Sequence, residues 1–309
     1  MHETTVSQDF TNVNCTMKPV GDSISGATKS GVKNDLSSRV AIVSIALITA
    51  ALLSVLVLSA TGGKTPTSVP VITKVHYPIG VPSAAEPSGL APPSATSLPG
   101  FMLRYVNDFN GTTVPAGWTV FTGTPSGAPG GQFGKAHVVV SHGELQLNTW
   151  PDPQYQNRWV TGGLCHCGMT RTYGAYFVRA RITGAGPNEV MLLWPKSESF
   201  PPEIDFNENE GRLDNTSSTV HWGSTNQVEQ HLLSIDMTKW HTWGVVWTPT
   251  AIEDVVDGTV WASVTRPAAI ARVPMRLDLE QRTMCQIHLQ CPKKSSSMYV
   301  DWVVEFSLR

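Results

Sequence analysis

Charge imbalance is missing from this chain. Its 22 Lys and Arg nearly offset 24 Asp and Glu, leaving a net −2 over 309 residues. Without a basic excess there is nothing to neutralise a phosphate backbone, so nucleic acid is excluded as the expected partner. Tryptophan is missing from the first third. The ten run from Trp118 to Trp302, which confines aromatic core building to one domain, placed at residues 101–309. A sustained helical period is missing after residue 100, which argues against a helical fold there. Cysteine is scarce, with Cys15 near the N-terminus and Cys165, Cys167, Cys285 and Cys291 in the tryptophan-rich part. An even set of four in an oxidising compartment suggests two disulfides, with three pairings open. A zinc site at Cys165-His166-Cys167 is disfavoured, because Cys-x-Cys and Cys-x5-Cys depart from the usual zinc spacings. No metal site is expected from these residues.

Three segments of distinct composition precede the domain. Residues 1–39 are polar, lack apolar periodicity and read as a disordered tail. Residues 40–60 form an uncharged apolar run, long enough to cross a hydrocarbon core of about 30 Å as one transmembrane helix. A lead of 39 residues and the leucine of Leu58-Ser59-Ala60 favour an uncleaved signal anchor; cleavage would make the protein secreted. Lys29, Lys33 and Arg39 ahead of the run, against Lys64 after it, put the N-terminus in the cytoplasm. Residues 61–100 carry eight prolines and read as an extended, disordered linker. The expected location of the domain is thus extracytoplasmic and membrane-tethered.

Within the domain, apolar and polar residues alternate. Leu145 and Leu147 alternate with Glu144, Gln146 and Asn148; Tyr176, Val178, Ala180 and Ile182 share one face; Trp243, Val245 and Trp247 share another. These are half-buried strands, and turn signals such as Asn110-Gly111 and Asp257-Gly258 separate them. The expected fold is all-β, a β-sandwich or jelly roll.

Three carboxylates crowd into Glu203-Ile204-Asp205-Phe206-Asn207-Glu208. In a regular strand Glu203 and Asp205 face one way and Glu208 the other. A β-bulge at Phe206-Asn207 would bring all three to one face. A solvated acidic turn would not need the amphipathic Ile204 and Phe206, and a calcium loop would need a central glycine and a ligand ladder that are absent. Retaining glycosidases need two carboxyl groups about 5–5.5 Å apart, one as nucleophile and one as acid.

This hexapeptide resembles the signature of glycoside hydrolase family 16, Glu-aliphatic-Asp-hydrophobic, an optional residue, then Glu. The resemblance continues in order through Asp108-Phe109-Asn110-Gly111, Leu192-Leu193-Trp194, His221-Trp222, His241-Thr242-Trp243 and Tyr299-Val300-Asp301-Trp302-Val303. It implies a concanavalin A-like jelly roll and a retaining endo-acting β-glycan hydrolase, endo-β-1,3-glucanase-like. Glu203 matches the nucleophile, Asp205 the assisting acid and Glu208 the general acid/base. The optional slot is usually aliphatic, whereas here it is Asn207. The longer, bulged form is shared by laminarinase-like and agarase-like members, which favours a β-1,3-glucan or a galactan as polysaccharide substrate.

Trp194 and Trp222, which flank the signature, are the expected sugar platforms. His221 is expected near Glu208 or substrate, and Gln281 is a candidate for a sugar hydroxyl. Trp243, Trp247 and Trp302 sit on alternating apolar faces and are expected in the core. No cofactor is required, a structural calcium is left open by the resemblance, and a monomer is expected. Two other readings share the fold: a non-catalytic, lectin-like glycan-binding module, and a cell-wall transglycosylase that passes the covalent intermediate to a sugar acceptor.

Overall fold

The computed structural model describes residues 76–125, 128, 130–283 and 291–309. The expected tail, the apolar run 40–60, the first part of the linker and Cys285 lie outside them. Among the described residues no helix is long and apolar enough to cross a membrane.

Two large antiparallel sheets face each other across one core. The first has seven strands in the order Gln227–Ser234, Asn215–Trp222, Glu203–Glu208, Asn188–Pro195, Met275–Arg282, Gly163–Cys165 and Thr119–Val120. The second runs Thr259–Val264, Ile252–Val256, His241–Trp247, Gly174–Ile182, Ser296–Leu308, Glu144–Asp152 and Val138–Ser141. Phe101–Asn107 also pairs with Ser296–Leu308, and Arg158–Val160 with Glu144–Asp152. This is the all-β sandwich jelly roll that the alternation predicts. Period-two patterning sends Met191, Leu193, Ile204, Phe206, Val220, Leu277 and Leu279 of the first sheet inward, against Tyr176, Val178, Trp243, Val245 and Trp247 of the second.

The outer face of the second sheet is also apolar. Ala175, Phe177, Val246, Trp302, Val304 and Phe306 form a second cluster, closed by Tyr77, Leu98 and Phe101. Residues 76–100, which composition places in the linker, therefore pack on the sandwich as a strap. Val81–Pro82 pairs with Leu90–Ala91, Trp302 Nε1 donates to the Leu90 carbonyl (2.7 Å), and the Ser88 amide donates to Asp301 (3.1 Å). The Tyr77 hydroxyl donates to Glu253. Gly80, at φ +111°, lies where an added Cβ would sit 2.8 Å from the Ala91 carbonyl, so only glycine fits this crossing. Proline content signals a chain that cannot form helix; it does not signal one that stays unpacked.

Two of the candidate cysteines, Cys165 and Cys167, form a disulfide with Cα atoms 5.0 Å apart, one of the three pairings left open. Cys291 is also disulfide-bonded.

Candidate active site

The signature strand carries the expected bulge. Against Asn188–Pro195 its register steps from Leu192↔Asp205 to Met191↔Asn207, and against Asn215–Trp222 from Asp205↔Thr219 to Ser217↔Glu208. One extra residue is absorbed between Asp205 and Glu208 on both sides. Phe206 turns into the core, and Glu208 returns to the face that bears Glu203 and Asp205.

Glu203 and Asp205 are buried on this face, and their carboxyls hydrogen-bond each other. Such a pair needs one proton between its members. Burial pushes both well above the usual carboxylate range. Asp205 adds to the shift at Glu203, as Glu208 does at Asp205. Arg282 opposes both shifts. Asp205 is the more deeply buried, at 3% exposure against 8%, whereas the hydrogen bond between the two carboxyls raises Glu203 and lowers Asp205, so the pair shares one proton across that bond. His221 Nε2 lies 3.5 Å from Asp205 Oδ2, and its Nδ1 meets Asn226 Oδ1 at 2.8 Å.

Glu208 is more open, with 20% of its side chain exposed against 4% for Asp205. Its Oε1 accepts from Asn188 Nδ2 at 2.7 Å and from Arg282 Nη2 at 3.5 Å. Asn188 cannot present its oxygen instead, because Oδ1 already accepts the Glu210 amide (2.7 Å). With two donors on Oε1, Oε2 is the oxygen free to carry a mobile proton.

Arg282 belongs to a charged stripe. Strand Met275–Arg282 turns Arg276, Asp278, Glu280 and Arg282 to the same face as the signature carboxyls, and all four are largely buried. Burial works against the charge of Arg282, yet Glu280, Glu208, Glu203 and Asp205 together raise its pKa. Arg276 pairs with Asp278 (3.1 Å) and with Glu198. Glu198 in turn accepts Trp194 Nε1 at 2.9 Å. Because Leu192 pairs with Asp205, Trp194 stands beside Glu203 in the antiparallel register. Its ring stacks on Phe200, with centroids 6.0 Å apart, and Phe200 lies 5.3 Å from the His221 ring.

The expected site residues divide. Glu203, Asp205, Glu208, Trp194 and His221 come together, with His221 beside Asp205 rather than Glu208. Gln281 does not join them. It is buried between the sheets, 2.9 Å from Thr149 Oγ1, where its amide also suits the Leu147 carbonyl and the Met298 amide. Trp222 likewise packs in the main core with Val220, and it lines a neighbouring pocket of about 620 Å³ between Phe200-Pro201-Pro202 and residues 267–272. Parity carried the missing information: Gln281 shares the phase of Leu277 and Leu279, and Trp222 that of Val220, so Arg282 and His221 are the members that face the carboxyls. Asn188 and Phe200 carried no comparable signal.

Among the described residues, the one group of three potential metal ligands is Glu203, Asp205 and His221, with donor atoms within 4.8 Å of one another. Arg282 already supplies positive charge to those carboxyls, so the group is read as acid–base machinery.

Comparison with known proteins agrees with the geometry. The profile of the family described as "Glycosyl hydrolases family 16" matches residues 132–301, and the chain belongs to that family. It is 29% identical over 191 residues to "Endo-1,3-1,4-beta-glycanase ExsH" of Rhizobium meliloti, covering 55% of this chain and 39% of that protein. It is 27% identical over 230 residues to "Glucan endo-1,3-beta-glucosidase A1" of Niallia circulans, covering 60% and 34%. The chain thus spans well under half the length of these curated relatives. The fold is similar to the laminarinase catalytic domain from Thermotoga maritima, at TM-score 0.60 and 16% identity, covering 67% of this chain and 98% of that one.

Proposed function

We propose that this chain is a retaining, endo-acting β-glycan hydrolase whose substrate is a β-1,3-glucan, with a galactan as the competing glycan. The observation that carries the reading is the bulge, which gathers Glu203, Asp205 and Glu208 on one face and gives them different surroundings. Substrate class rests on the names of the two curated relatives and on the longer form of the signature.

Glu203, ionised and steadied by the Asp205 proton, attacks the anomeric carbon. Glu208 gives the proton on Oε2 to the departing glycosidic oxygen while Asn188 and Arg282 take up the charge left on Oε1. A glycosyl ester to Glu203 results. Glu208, now a carboxylate, then draws a proton from water, whose oxygen attacks the same carbon from the opposite face and releases Glu203. Each carbon inversion cancels the other, so the β configuration is kept. Residues 40–60 supply the basis for placing the enzyme on the outer side of a membrane, with its N-terminus in the cytoplasm.

The test is reducing-sugar release from laminarin, lichenan, agarose and cell-wall galactan by the wild type and Glu203→Gln. Release from laminarin that is abolished in the folded variant is expected. No release by the wild type from any glycan, with binding retained, would establish the lectin-like reading. Chain lengthening at high acceptor concentration would establish the transglycosylase. In Glu208→Ala, azide should yield a β-glycosyl azide; an α-azide would overturn retention.

A further inference from the structure

Glu208 is held from behind by a polar chain that runs through the core. Its backbone amide donates to Thr216 Oγ1 (3.0 Å), and its carbonyl accepts from Ser217 Oγ (3.1 Å). The Thr216 hydroxyl donates to Asn207 Oδ1 (2.6 Å), and Asn207 Nδ2 donates to Glu189 Oε1 (3.2 Å). Each partner has a single direction: the Glu208 amide can only donate, which leaves the Thr216 proton for Asn207 and the Asn207 amide hydrogens for Glu189. Glu189, Asn207 and Thr216 are all within 1% of full burial. Glu189 is fixed in turn by Asn209, whose Oδ1 accepts the Glu189 amide at 2.7 Å.

None of these three side chains reaches the face where chemistry would occur. A buried polar chain with no route to substrate costs desolvation that an aliphatic core would not incur. Its position suggests what it provides. Asn207 is the residue inserted by the bulge, and the bulge sets the direction of Glu208. Because the extra residue leaves one strand out of step with both neighbours, its torsions are less determined by the ladder than those of a regular strand. Hydrogen bonds on both sides of Asn207 supply the missing constraint.

We propose that Glu189, Asn207 and Thr216 are positioning residues that fix the aim of the Glu208 carboxyl from the core side. The proposal rests on the assignment of Glu208 as proton donor and adds residues that touch no substrate. A misaimed Glu208 slows the first step only where the leaving group needs a proton, whereas hydrolysis of the glycosyl-enzyme, in which it acts as base, slows for every substrate.

The experiment compares laminarin with an aryl β-glycoside of a laminari-oligosaccharide whose nitrophenolate leaves without protonation. Thr216→Val keeps volume and removes the hydroxyl link; Thr216→Ser retains it. Asn207→Leu serves as a second break in the chain, and Glu208→Ala with azide is the reference for a lost donor. For Thr216→Val and Asn207→Leu, kcat/KM on laminarin should fall about 10- to 100-fold, while kcat/KM on the aryl glycoside, which reports formation of the glycosyl-enzyme alone, should change about threefold or less. Thr216→Ser should recover most of the laminarin rate. Equal losses of kcat/KM on both substrates, or none, in folded Thr216→Val would overturn the proposal while leaving Glu208 as donor. If Glu208→Ala itself shows no leaving-group dependence, or the wild type cleaves neither substrate, the functional reading fails and this one with it.

Discussion

Asn188 Nδ2 donates to Glu208 Oε1 at 2.7 Å, with its own oxygen committed to the Glu210 amide. The amide is thereby locked as a donor, and in the proposed mechanism it meets the oxygen on which charge appears when Glu208 gives up its proton. Hydrogen bonds to charged groups contribute about 1.5–3 kcal/mol. Asn188→Ala should therefore lower kcat on laminarin roughly 10- to 100-fold, with the larger part in kcat rather than KM. Steady-state kinetics on the purified variant check it; an unchanged kcat would remove Asn188 from the machinery.

A second prediction concerns the shared proton. Asp205→Asn replaces an acid that competes for this proton with an amide that always donates. The pKa of Glu203, which burial and Asp205 hold well above its ordinary value, should fall. The acid limb of the kcat/KM profile should then move to lower pH, as read from profiles of both proteins between pH 3 and 8. A limb that stays in place would mean that another group sets it.

Stability should decline with rising pH across the neutral range. Burial pushes Glu189 from an ordinary 4.5 up to about 8 and Asp254 from 3.8 up to about 7. In this window the native state holds protons that the unfolded chain has released, so stability present below about pH 4 is lost as pH rises to 8. Each group contributes a slope of at most about 1.4 kcal/mol per pH unit. Asp152, Asp236 and Asp257 are shifted downward and act below this range. Thermal melts at pH 5, 6, 7 and 8 should show a falling Tm, and Glu189→Gln should flatten the trend. A Tm that rises over this range would contradict the account.

The strap makes a fourth prediction. A chain beginning at residue 101 uncovers Phe177, Val246, Trp302 and Val304 by removing Tyr77 and Leu98. Loss of two such contacts is worth about 3 kcal/mol or more, which lowers Tm by roughly 6–12 °C in a domain of this size. Comparison with a chain beginning at residue 76 measures it; equal Tm values would show the strap to be energetically idle.

Legibility followed parity. The bulge could be read from the sequence because three carboxylates serve one face only if a residue is absorbed, and the structure absorbs it between Asp205 and Glu208. The sandwich was legible from the alternation of Leu145 and Leu147 or Trp243, Val245 and Trp247. Gln281 and Trp222 were chosen for residue type and nearness to the signature, whereas the phase of their own strands turns both toward the core. The strap escaped because its burial comes from Trp302 and Phe306, more than two hundred residues away in sequence. Asn188 and Phe200 owe their roles to pairing across strands and to a loop's fold, neither of which a local pattern encodes.

The bulge also has a consequence for insertions and deletions. Removing Asn207 would leave Glu-Ile-Asp-Phe-Glu, a run of strict alternation in which all three acids again share a face, now on an unbroken ladder. Removing Ile204 instead would place Glu203 and Asp205 on opposite faces. Only the two positions between Asp205 and Glu208 can lose a codon while all three acids keep a common face; Phe206 fills the core, which leaves the position this chain has filled with a buried amide.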